Sequence, residues 1–269
     1  MLILTHTYLL QKVLGEADIK SNDLDIYIYN IAPDLLTIHP DINSDKTHNI
    51  KRFTEIPDKY PKAAYVMLHL LADDLAHFGS ICLNFQEEFN PESQGFCYIK
   101  GKPIINTILD LHKIIQNEIS YNEAAYRSHL IIEMIYDLVI LKEINSLKSI
   151  SLLVEAINFT VNNKLDEFTS TISWLYGLEE GDIRSVMKNA CAYLTKERVE
   201  RIMNIEGRIR LYSDKFGLKS KDKLFYEGIK NLFLRAKDSL ELDEKELFLL
   251  QTAKTIKDYG WQPPIRPLF

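Results

Sequence analysis

The sequence contains few cysteines, glycines and prolines, and each shortage excludes a class of protein. Its three cysteines, Cys82, Cys97 and Cys191, are widely separated and form no C-x-x-C pair, which argues against a disulfide framework and a cysteine metal site. Ten glycines and nine prolines in 269 residues are too few for a collagen-like or low-complexity chain. We therefore expect a globular protein of a reducing compartment, the cytoplasm.

An excess of positive charge and long apolar segments are also absent. The 32 Lys and Arg residues are outnumbered by 38 Asp and Glu, and the net charge of −6 is unlike that of proteins that bind nucleic acid or anionic membranes non-specifically. The apolar runs at 65–71 and 131–141 are too short for a transmembrane helix, and residues 1–6 lack the pattern of a signal peptide. We expect no nucleic-acid partner and no membrane span.

Helical periodicity dominates what is present. Apolar residues recur at i, i+3 and i+4, whereas alternation of apolar and polar residues is rare, so we predict an all-α fold. The predicted helices lie near 6–15, 23–31, 61–78, 103–117, 121–143, 147–163, 167–177, 180–193, 196–215, 220–236 and 243–258. Pro61 suits the first turn of one helix, and Ser120 with Glu123 forms a capping-box sequence at another. Long loops are predicted over 31–61 and 84–102.

Histidine is distributed unevenly along the chain. All seven histidines lie within the first 129 residues, whereas the sequence beyond about residue 146 consists of amphipathic helical patterns. We therefore predict a metal-binding helical core over 1–145 and a helical extension over 146–269 that packs on the same domain.

Two helical stripes carry the candidate ligands. His69, Asp73 and His77 are each four residues apart, so their side chains advance by only about 40° per step around a helix. His129 and Glu133 repeat this spacing on a second predicted helix. One such pair is usually a surface ion pair or a hydrogen-bonded core histidine. Two pairs with apolar flanks are more specific, because a divalent cation satisfies several buried imidazoles and carboxylates together.

Several other polar residues have weaker claims. His39 is an alternative to His48 as a loop ligand, and His112 is expected at the surface or its boundary. Asp74 points about 100° away from its neighbour Asp73, towards solvent or a supporting role. Asp137 extends the second stripe and is expected to orient a histidine. Two further residues are predicted either to contact substrate or to be solvated: Asp45 and Arg127.

The order of the motifs resembles the bacterial zinc-dependent phospholipase C family, whose metal site is shared by fungal single-strand zinc nucleases. The resemblance covers residues 6–140, a little over half of the chain. It rests on five pieces: Thr5-His6, Ala32-Pro33-Asp34, Lys46-Thr47-His48, the H-x-x-x-D-x-x-x-H of 69–77 and the H-x-x-x-E of 129–133. It implies a multi-helix bundle, here with additional C-terminal helices.

The resemblance also implies a ligand set. One zinc ion would be held by Asp34, His48, His69 and Asp73. A second would be held by His77, His129 and Glu133, with an open position for water. Asp73 would extend towards a third ion at His6, and Asp34 would also assist as general base. Imidazole and carboxylate groups suit Zn²⁺, and clustered ions can clamp a phosphoryl group.

Two departures from the family shape the expectation. Secreted members begin with a tryptophan that completes the third site, whereas only Met1 and four further residues precede His6 here. We therefore expect two tightly bound zinc ions and a third that is weak. The spacing from Asp73 to His77 is also shorter than in the secreted enzymes.

The implied activity is zinc-dependent phosphoric ester hydrolysis by a zinc-activated water, acting on a small phosphoester or a phospholipid. The HD-type metal phosphohydrolases, which are also helical, require a His-Asp dipeptide that this sequence lacks. A non-catalytic helical scaffold or regulatory protein that retains a structural metal site stays open as the alternative.

Overall fold

The computed structural model describes residues 2–15, 23–52, 55–82, 92–143, 146–218, 223–240 and 242–264. All regular secondary structure in these ranges is helical, which confirms the prediction of an all-α fold. Residues 84–91 of the predicted loop over 84–102 lie outside the described residues. Within the described part of the chain, no helix is long and apolar enough to cross a membrane.

Fourteen α-helices are described, joined in two places by other helical turns. They are α1 (Ile3–Leu14), α2 (Asp25–Leu36), α3 (Ser44–His48), α4 (Ala63–Phe78), α5 (Phe96–Gly101), α6 (Ile105–Ile114), α7 (Tyr121–Glu143), α8 (Ser146–Phe159), α9 (Leu165–Tyr176), α10 (Glu180–Tyr193), α11 (Lys196–Ile202), α12 (Ile205–Lys215), α13 (Lys223–Asp238) and α14 (Leu242–Asp258). A 3₁₀ turn at Lys102–Ile104 precedes α6, and a π-helical turn at Thr160–Lys164 precedes α9.

The predicted loop over 31–61 is partly wrong, because α2 continues through Pro33 to Leu36 and α3 follows. Proline removes one backbone hydrogen bond from a helix. Here Leu35 and Leu36 are fully buried in the core, and their burial outweighs that loss. Asp34 therefore projects from the last turn of a helix and not from a loop.

Two other boundaries also differ from the prediction. The short helix α5 lies inside the predicted loop over 84–102. The single helix predicted over 196–215 is divided, because the Asn204 side chain accepts a hydrogen bond from the Gly207 N–H at 2.8 Å and begins a new helix.

The predicted helix starts are only partly correct. Pro61 precedes the first turn of α4 and does not lie within it. At α7 the Ser120 hydroxyl accepts from the Glu123 N–H at 3.1 Å, as the capping sequence predicts, but the Glu123 carboxylate binds Arg127.

Helix α4 lies at the centre of the fold. Its residues from Ala63 to Ala76 are all buried, α2 packs along it, and α14 packs against it and α1. The hydrophobic core continues into the second half of the chain through Phe168, Ile172 and Phe233. The Trp261 indole N–H also donates to the Ala64 carbonyl at 2.8 Å. The regions 1–145 and 146–269 thus contribute to one hydrophobic cluster.

Candidate metal centre

The two buried helices α4 and α7 present the central ligands. His69, Asp73 and His77 occupy successive turns of α4, and His129 and Glu133 occupy successive turns of α7. Because the flanking Leu, Ile and Met residues are buried in the core, these polar side chains are held on the inner faces of both helices. All eight residues that the resemblance implies as ligands fall into three groups of facing ligand atoms.

The first group joins α2, α3 and α4. His48 Nε2 lies 3.4 Å from Asp34 Oδ1 and 3.5 Å from Asp73 Oδ2. His69 Nε2 lies 3.1 Å from Asp73 Oδ2 and 3.9 Å from Asp34 Oδ1. The two imidazole Nε2 atoms are 3.4 Å apart. The two imidazoles thus each face both carboxylates, and the ligand atoms of Asp34, His48 and His69 form one group.

These spacings fit a tetrahedral ion better than a set of hydrogen bonds. Most of the five distances, which run from 3.1 to 3.9 Å, exceed the usual range of N–H···O hydrogen bonds. Ligand atoms at about 2.0–2.1 Å from a tetrahedral zinc ion are separated from one another by about 3.3–3.4 Å. In addition, Asp34 Oδ2 is buried without a hydrogen-bond partner in the described part of the chain. The residues present therefore fit zinc.

Asp73 connects the first group to the group of His6, His69 and Asp73. Its Oδ1 lies 3.2 Å from His6 Nε2, whereas its Oδ2 faces His48 and His69. The His6 and His69 rings stack with centroids 3.6 Å apart. His6, His69 and Asp73 are all buried, so this group is the most enclosed of the three.

The remaining group links α4 to α7. His77 Nε2 lies 2.6 Å from Glu133 Oε1, and the His77 and His129 rings are 5.2 Å apart between centroids. The Tyr98 ring stacks on His129 at 4.6 Å, and the Tyr126 ring lies at 5.0 Å. Aromatic rings thus enclose His129, while His77 reaches the surface.

The protonation states of the histidines suit metal binding. Burial lowers the pKa of His69 to about 4 and that of His129 to about 3, so both imidazoles are neutral at pH 7, the form that binds a metal. Burial also acts to lower the pKa of His48, but the neighbouring carboxylates of Asp34 and Asp73 outweigh burial and raise that pKa to about 10. Binding of an ion by His48 would therefore release a proton.

A buried ion pair between Arg52 and Asp74 contacts the backbone of His48. Arg52 donates to both carboxylate oxygens of Asp74, from Nε at 3.0 Å and from Nη2 at 2.8 Å. Its Nη1 donates to the carbonyl of His48 at 2.9 Å. Asp74 is 1% exposed, so the supporting role predicted for it fits the structure and the solvent-facing one does not. Arg52 lies in no recognisable sequence motif.

Asp137 supports His6 indirectly. Its Oδ1 accepts from the backbone N–H and the hydroxyl of Thr5 at 2.9 and 2.7 Å, and its Oδ2 accepts from Arg208 at 3.0 Å. The contacts of Asp137 that are described are with Thr5 and Arg208 and not with an imidazole. Asp137 instead fixes the first turn of α1, one residue before His6.

The residues with weaker claims to a functional role lie in different environments. His39 stays outside the three groups, and its Nδ1 accepts from the Asp41 N–H at 3.2 Å, so His48 and not His39 belongs to a candidate ligand group. The expected surface location of His112 is wrong, because His112 is fully buried and accepts from Arg127 at 2.9 Å. Arg127 is buried over the Phe216 ring and is therefore not solvated, whereas Asp45 is exposed.

Gly95 and Gly101 allow the backbone to pass close to His77 and His129. A Cβ on Gly95 would lie 2.1 Å from the carbonyl carbon and oxygen of His77. A Cβ on Gly101 would lie 2.7 Å from Ser128 Oγ and 3.2 Å from the backbone nitrogen of His129. Sequence reasoning placed both glycines in a loop and missed this role, because only the packing of α5 on α4 and α7 creates it.

In two of the three groups, at least one side chain is partly exposed to solvent. The side chains of His48, Asp34 and His77 are about a quarter exposed, at 26, 24 and 24%, whereas the other ligand candidates in these contacts are nearly or fully buried. Such an arrangement can hold cations and still admit a small molecule.

Comparison with protein-family models, with curated proteins and with solved structures finds no match to this chain.

Proposed function

We propose that this protein is a zinc-dependent phosphoesterase that hydrolyses a phosphodiester or a phosphomonoester. The observation that carries the proposal is that the Nε2 atoms of His48 and His69 each lie within 3.9 Å of Asp34 Oδ1 and of Asp73 Oδ2, so that two imidazoles and two carboxylates face one another. A second N/O group, formed by His77, His129 and Glu133, joins α4 to α7, and both groups have a solvent-exposed member. Adjacent ions are typical of enzymes that act on phosphoryl groups.

Each part of the site has a role under this proposal. Zinc, when bound, supplies Lewis acidity and lowers the pKa of water towards neutrality. The first group would hold one ion tightly, and the group of His77, His129 and Glu133 would hold another. His6 with Asp73 would hold a third ion more weakly. Burial acts to raise the pKa of Asp34, but His69 and His48 outweigh burial and lower it. Asp34 is therefore ionised, and its Oδ2 can accept a proton from an attacking water as general base.

The substrate class follows from charge and size. The net charge of −6 disfavours long nucleic acids, so we propose a small phosphoester or a phospholipid headgroup as substrate. The three cysteines are free thiols, two of them buried, and on this basis we propose a reducing compartment such as the cytoplasm.

A second candidate is a non-catalytic scaffold or regulatory protein with a structural ion. The complete burial of the His6, His69 and Asp73 group favours it, because structural sites are closed to solvent. Metal content separates the two. Two or more zinc ions per chain favour the enzyme, and a single closed site favours the scaffold.

The decisive experiment combines elemental analysis with a substrate panel. Zinc-supplemented protein is assayed on p-nitrophenyl phosphate, bis-p-nitrophenyl phosphate and phosphatidylcholine. Asp73→Asn and His129→Ala should each lower the zinc content and abolish hydrolysis, whereas the matched control His39→Ala should change neither. Less than one zinc ion per wild-type chain, or an equal loss in all three variants, would contradict the proposal.

A further inference from the structure

The first turn of α1 is capped by a side chain from another helix. The backbone N–H groups at the start of an α-helix have no carbonyl acceptor within the helix, and a polar side chain at the N-cap often accepts from them. The N-cap residue of α1 is Leu2, whose side chain makes no such bond. The Thr5 N–H donates instead to Asp137 Oδ1 at 2.9 Å. Asp137, which lies on α7, therefore provides the N-terminal cap of α1.

A second hydrogen bond and an ion pair fix this contact. The Thr5 hydroxyl donates to the same carboxylate oxygen at 2.7 Å. The other oxygen, Asp137 Oδ2, accepts from Arg208 Nη2 at 3.0 Å. All three side chains are buried, so water does not compete for these bonds. Arg208 supplies the opposite charge that a buried carboxylate requires.

The capped turn carries His6. The His6 N–H donates to the Leu2 carbonyl at 3.2 Å, an i→i−4 bond of the same turn. The His6 side chain is fully buried, and its Nε2 lies 3.2 Å from Asp73 Oδ1. Because the imidazole is attached to this turn, a shift of the turn changes the distance between the imidazole and the Asp73 carboxylate.

We infer that Asp137 and Arg208 are positioning residues for a zinc ion held by His6 and Asp73. The inference rests on the proposed function, which assigns a weakly held third ion to these two ligands. Residues that orient a metal ligand without touching the metal change the metal affinity by about 10–100-fold. Arg208 lies on α12, so the region 146–269 has a part in the centre.

Two threonines on either side of His6 provide matched variants for the test. The Thr5 hydroxyl donates to Asp137, whereas the Thr7 hydroxyl donates to the Ile3 carbonyl of its own helix at 2.8 Å, and both threonines are buried. Thr5→Val and Thr7→Val each remove one hydroxyl hydrogen bond, and Thr5→Ser keeps the hydroxyl. Both valine variants should lower the melting temperature of the zinc-free protein to a similar extent, so a difference in zinc binding between them reports on positioning.

Zinc affinity is measured by titration in competition with a chromophoric chelator, and the weakest class of bound ion is identified as the one that His6→Ala removes. We expect Thr5→Val to weaken this class by about tenfold and to leave the tighter ions unchanged. Thr5→Ser and Thr7→Val should bind every ion as wild type does. The double variant Asp137→Leu/Arg208→Met removes the cap without leaving an unpaired buried charge, and it should weaken the same class at least as much.

Several results would overturn the inference. They are wild-type affinity of the weakest class in Thr5→Val or in the double variant, an equal loss in Thr7→Val or Thr5→Ser, or the absence from wild type of any ion that His6→Ala removes. The proposed function fails separately. If the variants bind zinc as expected but wild type hydrolyses no phosphoester, the inference stands and the enzymatic proposal does not. If wild type hydrolyses phosphoesters and Thr5→Val binds every ion as wild type does, only the inference is lost.

Discussion

Two neighbouring aspartates on α4 should respond in opposite ways to the same substitution. Asp73 faces three imidazoles, with its Oδ1 3.2 Å from His6 and its Oδ2 3.1 Å from His69. Asp74 instead forms a two-point ion pair with Arg52. Both side chains are buried. We expect Asp73→Asn to change the stabilisation that zinc provides, and Asp74→Asn to change the stability of the zinc-free protein.

The magnitudes follow from ligand linkage and from the ion pair. At free zinc about 100 times the dissociation constant, each tightly bound ion adds about 2.7 kcal/mol to the free energy of unfolding. Two ions raise the melting temperature by about 10–20 °C at 2–4 °C per kcal/mol. Asp73→Asn removes a ligand of the first group, so this increment should be roughly halved. Asp74→Asn leaves Arg52 as an unpaired buried charge and should cost about 3–5 kcal/mol without zinc.

Guanidinium unfolding with and without zinc measures both quantities on the same three proteins. The zinc-dependent difference should fall further in Asp73→Asn than in Asp74→Asn, and the zinc-free midpoint should fall further in Asp74→Asn. A full zinc increment in Asp73→Asn would refute the assignment of this carboxylate as a ligand. An equal zinc increment loss in both variants would show that packing around α4, and not ligation, controls the response.

Three further substitutions test other parts of the centre. His112→Ala removes the acceptor of the buried Arg127 N–H and should lower the free energy of unfolding by about 1–3 kcal/mol, measured by denaturant titration, with no change in zinc content. Gly95→Ala places a Cβ against the backbone of His77 and should reduce the bound zinc by one ion per chain, measured by elemental analysis; an unchanged content would contradict the close packing. His6→Ala should spare two tightly held ions and remove a third that dialyses away, and equal affinity of three ions in wild type would contradict this.

The sequence was most informative where ligands share a helix. The steps of four in 69–77 and 129–133 depend only on helical geometry, so they place each stripe on one face without knowledge of the tertiary fold. The structure brings these stripes together with Asp34 and His48. The choice between His39 and His48 could not be made from the sequence, because it depends on how α3 folds back towards α4.

Residues that act through distant contacts were missed or misjudged. His112 lies on a predicted amphipathic helix, and its burial depends on Arg127 in α7 and Phe225 in α13. Arg52 belongs to no recognisable motif, and its hydrogen bonds to Asp74 and to the His48 carbonyl arise only in the tertiary fold. Local periodicity predicts which face a side chain occupies, but not which distant residue covers it.

The location of three candidate ligands on one continuous helix limits how the chain length can vary. Because an α-helix rises 1.5 Å per residue, the Cα atoms of His69 and His77 are about 12 Å apart along the axis of α4. One residue inserted between Asp73 and His77 would turn His77 by about 100° and move its ring away from Glu133. Insertions and deletions are therefore compatible with the connections between helices, whereas a single residue inserted into the regular helix over 69–77 would separate the group at α7 from the group at α2 and α3.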